Sequence, residues 1–425
     1  MKTLHLTPGE TENKVVNIYP ECTDQTFTGF GGAITEATAS VYAKMSAKQK
    51  KELLRAYFSA ERMNYQFLRI HIDSCDFCIE QYDGYTESGA PDFTRMEKWI
   101  LPMLRDAETA AGRKIPVMLS PWSPPAFMKT NGRREGGGKL KPEYNDAYAD
   151  YLCRYIRHMR DLGFTVDRVS LQNEPKAVQT WDSCIFTAQE EKIFLRDHFY
   201  PALKRYSLTD LEIYLWDHNK ERVYEWMRDI IDSETDKMVA GACFHWYSGD
   251  HFDALDLCRR AFPDKKLLVS ESCIEYRFYD KGDVTGSSVK LCHELIGDLN
   301  HGTSAFCDWN LVLDETGGPN YVGNFCLAPF IFDRSKKTLS PTLLQSYYET
   351  FARAIPPLSV RVAVTRYSDD VDATAWKRPD GSLTLVLLNR TGLKQDVTVR
   401  LNDCEADASV EPYGIASFVI DQEKK

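Results

Sequence analysis

Along this chain apolar residues gather in short runs that stop on polar side chains, and stretches of helical period separate one run from the next. In order, the runs cover 27–35, 66–72, 115–120, 169–174, 212–216, 238–244, 266–271 and 303–307, each of a length that suits a strand better than a helix. Between them the helical signals are well marked. Ser46 is placed to cap a helix whose apolar face carries Leu53, Leu54, Tyr57 and Phe58, and further helices are expected near 94–110 and over 143–161. Eight strands alternating with helices over roughly 280 residues is the count and length of a (β/α)8 barrel. An open, doubly wound sheet is the competing reading. It calls for a phosphate-binding GxGxxG loop after an early strand, and Gly29, Gly31 and Gly32 lack that spacing.

After about residue 355 the rhythm changes. Residues 383–388 and 397–401 read as strands with no helix between them, and Pro379-Asp380-Gly381 is a strong hairpin turn. The expected class is therefore α/β, a TIM barrel with an attached antiparallel β-sandwich. The strand material before residue 25, clearest at Val15-Val16-Asn17-Ile18-Tyr19, is expected to complete that sandwich. The domains then run 1–25 and 353–425 for the sandwich and 26–352 for the barrel.

Charge and cysteine content narrow the partners. A net charge of −10 with no Lys/Arg run argues against nucleic acid and anionic membranes. The 12 cysteines are scattered singly, mostly in apolar runs, as small core residues are. Cys75 and Cys78 have redox or zinc spacing, but no second pair faces them, so they too are expected to be structural. The chain opens without the apolar core of an export leader, and nowhere do eighteen apolar residues run together. No integral membrane segment is expected, and the unpaired cysteines point to the cytoplasm of a bacterial cell.

In a parallel barrel every strand points its carboxyl end at one face, so the polar residues closing the runs should converge there. They are Asp73 and Asp76, Trp122, Asn173 and Glu174, His245 and Tyr247, Glu271, and Asp308, Trp309 and Asn310. Aromatic faces suit the C–H surfaces of a sugar, and acids and amides suit its hydroxyls. Two carboxylates on two strand ends are the minimum set for cleaving a glycosidic bond, with no metal or organic cofactor. Arg69 lies inside a strand and needs a carboxylate partner, for which Glu271 is the natural candidate. Taken singly, each residue also has a plain reading: solvated glutamates, tryptophans as bulk, His245 as a satisfied core histidine. The segment from Gly132 to Gly138, with Arg133, Arg134 and Glu135, reads as a mobile loop and at most a rim element.

Several stretches together resemble glycoside hydrolase family 30, and within it the acid β-glucosidase branch. They are Phe30-Gly31-Gly32-Ala33, Ser74-Cys75-Asp76-Phe77, Ser120-Pro121-Trp122-Ser123-Pro124-Pro125, Lys129-Thr130-Asn131, Gln172-Asn173-Glu174-Pro175, His245-Trp246-Tyr247, Ser270-Glu271-Ser272, Asp308-Trp309-Asn310 and Gly317-Gly318-Pro319-Asn320. The resemblance implies a retaining β-glycoside hydrolase acting on a terminal sugar of a carbohydrate or glycoconjugate, with Glu174 as acid/base and Glu271 as nucleophile. It further implies that Asn173 holds the sugar 2-hydroxyl and that Asp76, Trp122, Trp309 and Asn324 line the glycone subsite. Glucose fits best; xylose, fucose and longer β-glucans are the alternatives within the family. From other classes, the rivals are a silent carbohydrate-binding barrel and a phosphate-handling barrel. The latter wants glycine-rich loops after strands seven and eight, where Cys273-Ile274-Glu275-Tyr276 stands instead.

Overall fold

A computed structural model describes residues 1–421. Eight parallel strands close into a barrel: β1 (Gly29–Ala33), β2 (Phe67–Ile72), β3 (Val117–Pro121), β4 (Val166–Ser170), β5 (Glu212–Asn219), β6 (Gly241–His245), β7 (Lys266–Glu271) and β8 (Thr303–Asn310). Each neighbours the next in sequence, and β8 pairs back onto β1. The strand boundaries differ from the sequence reading in two informative places. β4 ends at Ser170, so Glu174 lies four residues beyond it, and β5 runs past Trp216 to Asn219. The helix over Ala47–Phe58 starts as expected, with Ser46 and Gln49 bonded reciprocally in a capping box.

The period of two within strands decides what fills the barrel. Phe67 points inward and packs with Met118, Tyr214, Cys243, Leu268, Ala305 and Cys307, while Leu68 and Ile70 join the apolar shell between strands and helices. Higher in the lumen the side chains change character. Arg69, Ser120, Ser170 and Ser270 are all fully buried, and three small hydroxyls leave the volume that a guanidinium requires. The glycines of β1 have a packing role: a Cβ on Gly31 would lie 2.7 Å from the Phe67 carbonyl oxygen.

The second unit is a nine-stranded sheet ordered Lys2–His5, Ile415–Asp421, Leu383–Asn389, Val371–Lys377, Val360–Arg366, Val15–Thr26, Gln395–Leu401, Cys404–Val410, Thr7–Pro8. Its two edge strands are separated in sequence by Leu6 alone, so the sheet must curl until its edges meet, which makes it a sandwich. The expected antiparallel sandwich is present, with two parallel pairs at the strands from the N-terminal end. Lys2–His5 pairs in parallel with Ile415–Asp421, and Val15–Thr26 in parallel with Gln395–Leu401. Strands that arrive from the far end of the chain are not bound by a hairpin to run antiparallel. Trp376, Val386 and Leu388 of this sheet belong to the same apolar cluster as the barrel shell, and His293 bonds Asp372 at 2.7 Å across the junction. No helix among the described residues is long and apolar enough to cross a membrane.

Candidate active site

At the carboxyl face of the barrel lies a cavity of about 350 Å3, within the usual range for small-ligand sites. Asp76, Trp122, Asn173, Glu174, Tyr247, Glu271, Trp309 and Asn324 all line it. Eight of the residues singled out by sequence thus meet in one place. Asp73, Asp308 and Asn310, also expected at this face, are buried away from the lining, and two further residues stand behind it. Arg69 is buried beneath it, and His245, read from sequence as a substrate contact, stands behind Glu174 with no exposed surface.

Glu271 ends β7, where the pairing with β6 shifts register. One of its oxygens accepts from Arg69 Nη1 at 2.5 Å and the other from Tyr247 Oη at 2.9 Å. These bonds fix the carboxylate in rotation as well as position. Asn173 Oδ1 accepts from the same guanidinium at 2.9 Å, so one arginine aligns the residue beside Glu174 with the carboxylate across the cavity. Glu174 is held by its backbone: its N–H bonds the Asp217 carbonyl at 2.8 Å, and it adopts φ +46°. A non-glycine residue in that left-handed region costs conformational energy, which the surrounding bonds must offset.

Asp217 is the group that the sequence did not reveal. The run 212–216 was expected to end at Trp216, but a bulge follows: Trp216 and Asp217 have φ +76° and +50°, and the register against β6 shifts there. The bulge turns Asp217 into the lumen, where it accepts from Arg69 Nη2 at 2.8 Å, Ser170 Oγ at 2.5 Å, Ser270 Oγ at 2.6 Å and His245 Nε2 at 3.1 Å. Burial alone would raise its pKa, yet the Arg69 charge holds it well below the usual carboxylate range.

The sugar-facing surfaces are built in two ways. Trp122 and Trp309 stack with ring centroids 5.4 Å apart, and the Arg69 guanidinium sits 4.9 and 5.1 Å from the two rings. Asp76 accepts from Asn320 Nδ2 at 3.0 Å and from Asn324 Nδ2 at 3.4 Å, and burial, with the charge of Glu271, pushes its carboxyl well above the ordinary value. Gln179, His218, Asn219, Glu275, Arg277 and Phe278 also line the cavity and were not anticipated. His218 and Asn219 lie on the part of β5 beyond its bulge and Glu275 on a two-residue strand, while Gln179, Arg277 and Phe278 sit on loops whose placement no periodicity encodes.

The segment from Gly132 to Gly138 is not the mobile loop expected from its glycines. Arg134 is buried, bonded through Nε to Asp182 and through Nη1 to Asp83 at 2.6 Å, and Lys129 Nζ caps the carbonyls of Arg134 and Ser183 at 2.7 and 2.6 Å. Positive-φ glycines let the chain fold tightly around these charges. Cys75 and Cys78 are buried beside His71, whose ring nitrogens are engaged by the Glu36 N–H and the Asp73 carbonyl.

Comparison with known proteins agrees with this architecture. The glycosyl hydrolase family 30 TIM-barrel domain matches residues 27–349, and the family's β-sandwich domain matches 359–418. The chain is 32% identical over 411 residues to the lysosomal acid glucosylceramidase of Mus musculus, covering 92% of this chain and 79% of that protein. An endo-1,6-β-D-glucanase of Neurospora crassa is 24% identical, over 94% of this chain and 86% of its own length. Among solved structures, SrfJ from Salmonella typhimurium superposes with a TM-score of 0.94 at 34% identity, covering 98% of this chain and 95% of SrfJ. With both family domains matched and relatives aligned over nearly their whole length, the chain belongs to glycosyl hydrolase family 30.

Proposed function

We propose that this glycoside hydrolase releases a terminal β-glucosyl unit with retention, Glu271 attacking the anomeric carbon and Glu174 serving as acid and then base. The observation that carries the reading is the clamp on Glu271. A carboxylate held on one oxygen by Arg69 and on the other by Tyr247, facing the cavity that Glu174 also lines, is ionised and oriented for attack. Attack forms a glycosyl ester and expels the leaving oxygen, protonated through Glu174; water deprotonated by Glu174 then cleaves the ester. The stacked tryptophans and the Asp76–Asn324 pair suit the apolar face and hydroxyls of the departing glycone.

The remaining lining sets Gln179, Asn219, Glu275 and Arg277 beside the rings of Trp181, Phe278 and Tyr279, and hydrogen-bonding groups interleaved with stacking faces support a hydroxylated leaving group such as a second sugar. The same reading keeps the enzyme in the cytoplasm, on the strength of 12 cysteines scattered singly. Incubation with a deoxyfluoro glucosyl fluoride, followed by peptide mass mapping, should label Glu271, and Glu271→Ala should lose turnover by at least about a thousandfold while keeping the wild-type melting curve. Label on any other residue, or wild-type rates in the variant, would refute the assignment. Parallel assays on a β-linked glucose disaccharide and on micellar glucosylceramide decide the leaving group, and the lipid turning over faster would overturn that part.

A further inference from the structure

His245 has no contact with the cavity, yet it stands between two carboxylates. Its Nε2 is 3.1 Å from Asp217 Oδ1 and its Nδ1 is 3.4 Å from Glu174 Oε1. Facing an ionised Asp217, Nε2 carries a hydrogen. Nδ1 then faces Glu174 lone pair to lone pair unless one further proton lies between them, on the ring or on the carboxylate. With His245 fully buried and Glu174 only 14% exposed, an unrelieved repulsion of that kind is costly. The geometry therefore demands one proton on the Glu174–His245 pair.

Resting on the retaining mechanism above, we propose that His245 stores the proton that Glu174 delivers: in the free enzyme it resides on Nδ1, passes to Glu174 as the glycosidic bond breaks, and returns when water attacks. His245 touches no substrate and is a positioning residue acting through Glu174. The charges facing it make the exchange directional. Asp217 and His218 lie on β5, Glu174 follows β4, Glu271 ends β7, Tyr247 follows on its own strand, and Arg69 reaches it through Asp217. Burial disfavours an imidazolium here, but Glu271's charge and the contacts with Asp217 and Glu174 lift His245 to about 9. Burial likewise opposes an ionised Glu174, and its bond to His245 brings it down to about 2. The acid of the reaction is thus unprotonated at rest, which a store next to it explains.

The balance closes. Before attack Glu174, Glu271 and Asp217 are anionic and His245 and Arg69 cationic, one net negative charge. When Glu271 becomes an ester it loses its charge, and with it the main attraction that kept the proton on His245; the ring gives that proton to Glu174, which passes it on to the leaving oxygen. The imidazole is then neutral, Glu174 is again anionic, and the site still carries one negative charge. Hydrolysis of the ester restores Glu271's charge, and the proton taken from water passes through Glu174 back to Nδ1.

The test is nitrogen NMR of the full-length enzyme carrying isotope-labelled histidine, with His245→Gln to assign the resonance. In free wild-type enzyme at neutral pH both His245 nitrogens should be protonated, and trapping with the deoxyfluoro glucosyl fluoride should turn the ring neutral. A neutral ring in the free enzyme, or a cation that survives trapping, would sink the proposal. Should no Glu271 adduct form, the catalytic reading has failed, while the free-enzyme spectrum still decides where the proton rests. In the variant, kcat/KM on a disaccharide should fall about tenfold to a hundredfold more than on dinitrophenyl β-glucoside, whose leaving group needs no proton. The alkaline limb, expected near pH 9 in the wild type, should move down. Equal losses on both substrates with an unmoved limb would mean that His245 has a structural role only.

Discussion

Asp217 has four donors and no access to solvent, and each of its oxygens is matched to a charge or ring on one side and a serine hydroxyl on the other. Asp217→Asn keeps the shape but turns one oxygen into an N–H2. Whichever oxygen is replaced, the new donor meets either Arg69 or the Nε2 hydrogen of His245. A stability loss of about 3 to 5 kcal/mol is expected from breaking one side of a buried charge pair, read as a shift in denaturant midpoint, and Arg69 should clamp Glu271 less firmly. An unchanged midpoint would mean that the layer relaxes more freely than its packing implies. At this scale Glu174 and Glu271 were legible because each closes an apolar run on a carboxylate, as was the pairing of Arg69 with Glu271. Asp217 was not, because it follows a run that looks complete at Trp216 and enters the lumen only through a bulge.

Elements carry the site by being pinned. The stretch from Lys129 to Leu140 contains four positive-φ glycines; Lys129 and Asn131 hold it from within, and Arg134 supplies its buried charge contacts to other elements. Arg134 ties it to Asp182, Asp83 and, at 3.6 Å, Asp73, and Asp182 in turn bonds Tyr321 and Ser74. Arg134→Leu leaves Asp182 and Asp73 buried without a cation, and should cost about 3 to 5 kcal/mol. Limited proteolysis should then cut first between 132 and 138; a digestion pattern matching wild type would show that the glycine loop holds itself. Composition pointed the other way, since three consecutive glycines ordinarily mark mobility. The buried arginine that reverses this reading is indistinguishable in sequence from its exposed neighbour Arg133.

For the molecule as a whole, the first eight residues close the second unit. Lys2–His5 covers the Ile415–Asp421 edge and Thr7–Pro8 the Cys404–Val410 edge, so one short segment hides both ends of a nine-stranded sheet. Deleting residues 1–8 should lower the melting temperature by several degrees and promote association through the bared edges, detectable by light scattering. A monodisperse variant that melts with the wild type would contradict this role. The junction with the barrel is apolar and continuous, as Trp376 packing 5.7 Å from Phe27 shows, so wild-type unfolding is expected as a single calorimetric transition.

What this sequence determined by itself is whatever a local pattern can encode. Eight apolar runs spaced by helices specify a parallel barrel; closing such runs on Asn173-Glu174 and on Glu271 sends two acids to one face; and the change of rhythm after residue 355 announces a sheet of another kind. Those features depend on side-chain period and on the polarity of a parallel sheet, both properties of short stretches. Tertiary structure alone decided the rest. That His245 lies behind Glu174 and not in the cavity, that Asp217 joins Arg69 to both histidine and serines, and that a glycine loop is rigid all depend on which distant residues share a small buried volume. A buried charge takes the partner that relieves it, and that partner comes from any strand the barrel brings near, at no fixed distance along the chain.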